Sequence, residues 1–72
     1  MTKEAIKEIW MQVLGTEELA DDAKFFEVGG NSITILIIMD EIKKACGVEL
    51  DVNEMDQFDS VDHMYQYLQA NH

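Results

Sequence analysis

Seventy-two residues leave room for one small domain and not two, and a chain of this size buries only roughly 60% of the surface its unfolded form exposes. Fifteen acidic residues against five basic ones give a net charge of −10, which argues against nucleic acid or an anionic membrane surface as partner and for basic protein partners. The single cysteine excludes an internal disulfide, the longest apolar run, Ile35 to Met39, is far too short to span a bilayer, and no charged-then-apolar leader opens the chain, so a cytoplasmic protein is expected.

Thr2 is placed to cap a first helix, with Glu4 in its first turn where a negative charge complements the helix dipole. Ile6, Ile9, Trp10, Val13 and Leu14 fall at i, i+3, i+4, i+7 and i+8, one stripe facing a core, and Gly15 follows as terminator. Trp10 on that stripe reads as core packing rather than as a platform for stacking a ligand. Residues 16–31 then make a connection long enough to require a reason in so small a domain. Glu17, Glu18, Asp21 and Asp22 are its solvated acids, and Leu19, Phe25, Phe26 and Val28 its apolar positions. The expectation is that it packs across the helices with at least one phenylalanine buried as an anchor, and so presents Gly29-Gly30 in a defined place.

Gly29-Gly30-Asn31-Ser32 puts a serine hydroxyl where loop becomes helix, because glycine leaves room for an approaching partner and Asn and Ser favour helix starts. The second helix is predicted from about Ser32 to about Cys46, with Gly47 as a left-handed stop. Ile35, Ile38, Met39, Ile42, Ala45 and Cys46 gather on its core side, which would make Cys46 a buried, inert thiol. Ile33, Ile37, Asp40 and Lys44 lie opposite, with Leu36 at the margin. Two isoleucines facing outward within a turn of Ser32 form an apolar patch that marks a partner site, unless the long loop covers them.

After Gly47, Val48-Glu49-Leu50 reads as an extended connector, and Asn53 to Phe58 as one short helical turn with Met55 and Phe58 inward. Ser60 caps a last helix with Asp62 in its first turn and Val61, Met64, Tyr65 and Leu68 on one face. The fold class is therefore all-α, a small four-helix bundle of three main helices and one short one, with a long first loop.

Ser32 does not read as a hydrolase nucleophile. Gly30-Asn31-Ser32-Ile33-Thr34 lacks the second glycine of the elbow motif, no strands are predicted to display one, and His63 is the sole internal candidate base, His72 standing at the chain end. No lysine follows the paired glycines as a phosphate loop requires. Asp51 and Asn53 match the first and third positions of a calcium loop, but Met55 stands at the fifth, Asp56 at the glycine position and Asp62 at the twelfth. An acidic helical interaction or calcium-responsive module without a prosthetic group is the alternative reading. The leading one is that Ser32 is modified.

The segment Phe25-Phe26-Glu27-Val28-Gly29-Gly30-Asn31-Ser32-Ile33, the apolar helix after it, Gly47-Val48-Glu49-Leu50 and Phe58-Asp59-Ser60-Val61 together resemble the phosphopantetheine-dependent carrier proteins over essentially the whole chain. The paired glycines resemble peptidyl carriers of nonribosomal synthesis more than fatty-acid carriers, while Asn31 departs from the His or Asp expected before the serine. The resemblance implies that a phosphopantetheinyl transferase attaches 4'-phosphopantetheine from coenzyme A to Ser32. The arm's thiol would hold acyl or aminoacyl groups as thioesters for nonribosomal-peptide, polyketide or related biosynthesis. It implies a carrier and not an enzyme. Its partners would be that transferase, a loading enzyme of adenylation or acyltransferase type, and condensing or tailoring enzymes, docking along Gly30, Asn31, Ile33, Leu36, Ile37 and Asp40.

Met1 stands so close to the first helix that a freestanding, monomeric carrier is expected. Free N–H groups and the dipole at the start of the second helix are expected to favour the arm's phosphodiester. Asp40, eight residues on, lies roughly 12 Å along the helix, beyond the Debye length of roughly 8 Å, and should repel it little.

Overall fold

The helix boundaries form where side-chain caps and left-handed glycines permit them. In a computed structural model that describes residues 1–70, Thr2 Oγ1 accepts from the Ala5 N–H at 3.1 Å and helix α1 runs Lys3–Leu14, closed by Gly15. His72 lies outside the described residues. Helix α2 spans Ser32–Cys46, and Gly47 (φ 77°) turns its N–H back to the Lys43 carbonyl. Helix α3 spans Val61–Ala70, and Ser60 Oγ accepts from the His63 N–H at 3.1 Å at its start. The expected minor helix is a 3-10 segment at Val52–Gln57, displaced by one residue from Asn53–Phe58. Its cap is Asp51, whose carboxylate accepts from the Asn53 N–H at 2.9 Å. No strand occurs among the described residues, and no helix among them is long and apolar enough to cross a membrane.

Helix α1 packs against both α2 and α3. The core takes Ile6 and Trp10 from α1, Ile35, Ile38 and Ile42 from α2, and Val61, Met64 and Leu68 from α3. The connections add Leu19, Phe25, Leu50 and Phe58. Trp10 is fully enclosed, and its indole N–H donates to Met64 Sδ at 3.2 Å, which gives the polar end of a buried ring a soft acceptor. Tyr67 on α3 packs edge-on against Phe58 and donates its hydroxyl to Glu54 at 2.7 Å, tying the 3-10 segment to the bundle.

The core face of α2 stops short of its predicted end. Ala45 and Cys46 are exposed, and the Cys46 thiol donates to the Ile42 carbonyl at 3.3 Å. Periodicity fixes the direction in which a side chain points but not how far a neighbouring helix lies alongside. Ile42 is the last α2 residue in the core, so the buried, inert thiol expected at Cys46 is corrected to an exposed one.

The long loop is pinned to the entrance of α3. The Phe25 N–H donates to the Asp59 carbonyl at 2.6 Å and the Asp62 N–H to the Asp21 carbonyl at 3.0 Å. Around these bonds Lys3 pairs with Asp62 (2.8 Å), Lys7 with Asp21 (3.1 Å) and Lys24 with Asp59 (3.2 Å). The second oxygen of Asp59 accepts from His63 Nδ1 at 2.8 Å. The His63 hydrogen bond, and after it Lys24, hold the Asp59 carboxyl below its ordinary 3.8 against the opposing effect of partial burial.

Two outcomes are expected. Asp59→Asn should lower stability by about 1 kcal/mol at pH 6, the usual net value of one hydrogen bond, read from urea denaturation. A carboxyl whose pKa falls on folding contributes stability above its unfolded value and loses it as pH drops through the folded value. The difference between wild type and variant should therefore close as pH falls below 3.8. Ile42→Asp buries an unpaired carboxylate at a cost of several kcal/mol, against a total of about 4 to 11 kcal/mol for a domain of this size. Its thermal melt by circular dichroism should show no cooperative transition.

Candidate functional site

The loop reaches α2 through a 3-10 turn at Phe25–Glu27 that periodicity alone does not reveal. Phe25 is the anchor the sequence called for. Its ring is buried and meets Trp10 edge-to-face at 5.1 Å. Its carbonyl accepts from the Val28 N–H at 3.3 Å and from the Gly30 N–H at 3.0 Å, so one residue folds the approach to α2 back on itself.

The paired glycines are required for different reasons. Gly29 has φ 94°, a region that residues with a Cβ rarely adopt. Gly30 lacks a positive φ, but a Cβ there would collide with one edge of the Phe25 ring.

Asn31 then caps α2. Its side-chain oxygen accepts from the N–H groups of Ile33 (2.9 Å) and Thr34 (3.0 Å), and Thr34 Oγ1 accepts from the Asn31 N–H at 2.8 Å. This is a reciprocal capping box. It corrects the expectation of free N–H groups for an anion, since two of those donors are occupied by the chain's own amide. Ser32 is the first residue of the helix and is exposed. With the cap supplied by Asn31, its hydroxyl makes no hydrogen bond among the described residues.

Beside Ser32 the outward face of α2 is apolar. Ile33 is 69% exposed, Leu36 52% and Ile37 46%, so the loop does not cover the isoleucines and Leu36 sides with them. Asp40, the far end of the predicted docking edge, is exposed and paired with Lys44 at 3.0 Å. Phe26, absent from the predicted docking edge, is 54% exposed with its ring edge against Phe25 at 5.4 Å. The available signal was the Phe-Phe doublet in a tight turn, where burying one ring turns its neighbour outward. Of the other candidates, His63 is engaged with Asp59, and Asp51 caps the 3-10 segment.

The family model for the phosphopantetheine attachment site matches residues 4–68. A mycosubtilin synthase subunit of Bacillus subtilis is 31% identical over 70 residues, which are 97% of this chain and 3% of that protein. The hybrid PKS-NRPS synthetase TAS1 of Botryobasidium botryosum is 38% identical over 69 residues, 94% of this chain and 4% of that one. Among solved structures, BlmI, a type-II acyl-carrier-protein from Streptomyces verticillus involved in bleomycin biosynthesis, superposes with a TM-score of 0.86 at 25% identity. The match covers 94% of this chain and 82% of BlmI. The chain thus spans a few per cent of these synthases and most of the length of one separate carrier.

Gly30→Ala should destabilise the protein by about 1 to 3 kcal/mol through overpacking, measured by urea denaturation. On a Phe25→Leu background the same change should cost less, with a coupling of at least about 0.5 kcal/mol. Equal costs on both backgrounds would show that Phe25 is not what excludes a side chain at Gly30.

Proposed function

The chain belongs to the phosphopantetheine attachment-site family, and we propose that Ser32 is the residue at which it carries the arm. The observation that supports this is an exposed serine hydroxyl without a hydrogen bond among the described residues, at the first position of α2, approached through a loop that Phe25 fixes. An unengaged oxygen on a rigid edge fits a group added by a separate enzyme. When attached, 4'-phosphopantetheine supplies a terminal thiol on which acyl or aminoacyl groups are carried as thioesters.

The residues of this chain do the rest by position. Asn31 keeps the start of α2 intact, Gly30 makes room for the Phe25 ring that anchors the loop before it, and Ile33, Leu36 and Ile37 offer an apolar surface within two turns of the hydroxyl. Exposed apolar area of this kind marks a partner site. The partners proposed are a phosphopantetheinyl transferase, a loading enzyme of adenylation or acyltransferase type, and condensing or tailoring enzymes. The named synthases among the relatives support nonribosomal-peptide or polyketide assembly as the setting. The chain itself is read as a carrier without catalysis of its own.

Incubation with coenzyme A and a broad-specificity phosphopantetheinyl transferase should add one phosphopantetheine, seen by intact mass, and Ser32→Ala should add none. A labelled alanine variant would sink the assignment. Ile37→Glu should leave the melting temperature nearly unchanged and lower kcat/KM for loading by a partner enzyme by about tenfold, the equivalent of roughly 1.4 kcal/mol of lost apolar contact.

A further inference from the structure

A helix start leaves backbone N–H groups without partners inside the helix, and an anion placed there gains from them and from the dipole. At the start of α2 all but one of those donors are already spoken for. The Gly30 N–H goes to the Phe25 carbonyl, the Asn31 N–H to Thr34 Oγ1, and the Ile33 and Thr34 N–H groups to the side-chain oxygen of Asn31. The Ile35 N–H makes the first intrahelical bond, to the Asn31 carbonyl at 3.0 Å. Between Gly30 and Ile35 only the N–H of Ser32 has no partner among the described residues.

We propose that Asn31 and Thr34 withhold the Asn31, Ile33 and Thr34 N–H groups from the phosphodiester of the arm, so that of the donors at the start of α2 only the Ser32 N–H is left open to it. The inference rests on the reading of Ser32 as the attachment residue. A phosphate oxygen could reach the Ile33 and Thr34 donors only by displacing the Asn31 amide oxygen. That would exchange one acceptor for another and break a box whose two halves support each other. The cap is neutral, so it adds no repulsion that would hold the phosphate at a distance. It acts by occupancy alone. Asn31 is therefore a positioning residue: it preserves the helix start before and after attachment and leaves the direction of the arm to whichever partner binds it.

The test compares apo and holo forms of the full chain, labelled with nitrogen-15 and converted with coenzyme A and a transferase, intact mass reporting the conversion. In the wild type, the Ile33 and Thr34 amide resonances should stay in place on conversion, and the two forms should melt together. In Asn31→Gly, a change that costs a cap little stability, conversion should move both resonances downfield. The holo form should then melt about 2 to 6 °C above its own apo form, as an anion at an open helix start would. Downfield movement of Ile33 and Thr34 in the wild-type holo protein would overturn the inference while leaving Ser32 as the attachment residue. So would an Asn31→Gly protein whose two forms melt alike. A chain that gains no phosphopantetheine overturns both readings together.

Discussion

Burial of the Phe25 ring is the constraint on which the geometry around Ser32 depends. The ring fills a place against Trp10 and beneath Gly30, while the main chain of the same residue binds Asp59 on one side and Val28 and Gly30 on the other. Enclosing a phenylalanine contributes roughly 1.5 to 3 kcal/mol, enough to offset the ordering of one or two loop residues but not of sixteen. The loop is accordingly held at points rather than along its length: Leu19 and Phe25 enter the core, and Asp21 and Phe25 bond to the entrance of α3. The segment from Phe25 to Asn31 is then short and hydrogen-bonded. That is how a long connection delivers a fixed end.

Charge is arranged around this frame rather than within it. Each of the five lysines is paired with a carboxylate, three of them at the junction of α1, the loop and α3 and two along α2 and its exit. Exposed pairs of this kind contribute little to stability. Their larger effect is on the surface, since the cations are occupied and the net charge of −10 is presented outward by the remaining acids. Beside Ser32 the pattern differs, because Ile33, Leu36 and Ile37 interrupt the acidic surface and Asp40 is neutralised by Lys44. In the proposed role, long-range attraction would bring a basic partner close and apolar contact would hold it, a division between approach rate and complex lifetime that charged surfaces with apolar centres show.

Much of this was legible in the sequence because the signals were local. Thr2, Gly15, Gly47 and Ser60 mark helix ends by backbone chemistry that acts within a turn, and the spacing of Ile33 and Ile37 against Ile35, Ile38 and Ile42 gives their opposite directions. What was not legible depends on which neighbour lies where. Either phenylalanine of the doublet could have been the anchor, and only the position of Trp10 selects Phe25 and leaves Phe26 outside. Cys46 lies on the correct side of α2, but beyond the last core residue. The occupied N–H groups at Ile33 and Thr34 were hidden for a third reason: an asparagine at a helix start announces a cap, but not that it takes two donors at once.

That last feature bears on why asparagine and serine stand in this order. A serine at the cap position would bend its own hydroxyl toward the backbone of the next turn, as Ser60 does at the start of α3, where Oγ accepts from the His63 N–H. Esterifying such an oxygen would disturb the helix that displays it, because the cap and the attachment point would be the same atom. With Asn31 at the cap and Ser32 one residue further, the cap and the proposed attachment fall on different side chains. Replacing a good cap costs about 1 kcal/mol, a sizeable share of the stability of a domain this small. In the proposed role, separating cap from hydroxyl would let a group be added at Ser32 without that loss, so the surface a partner meets beside the arm would be the one it meets without it.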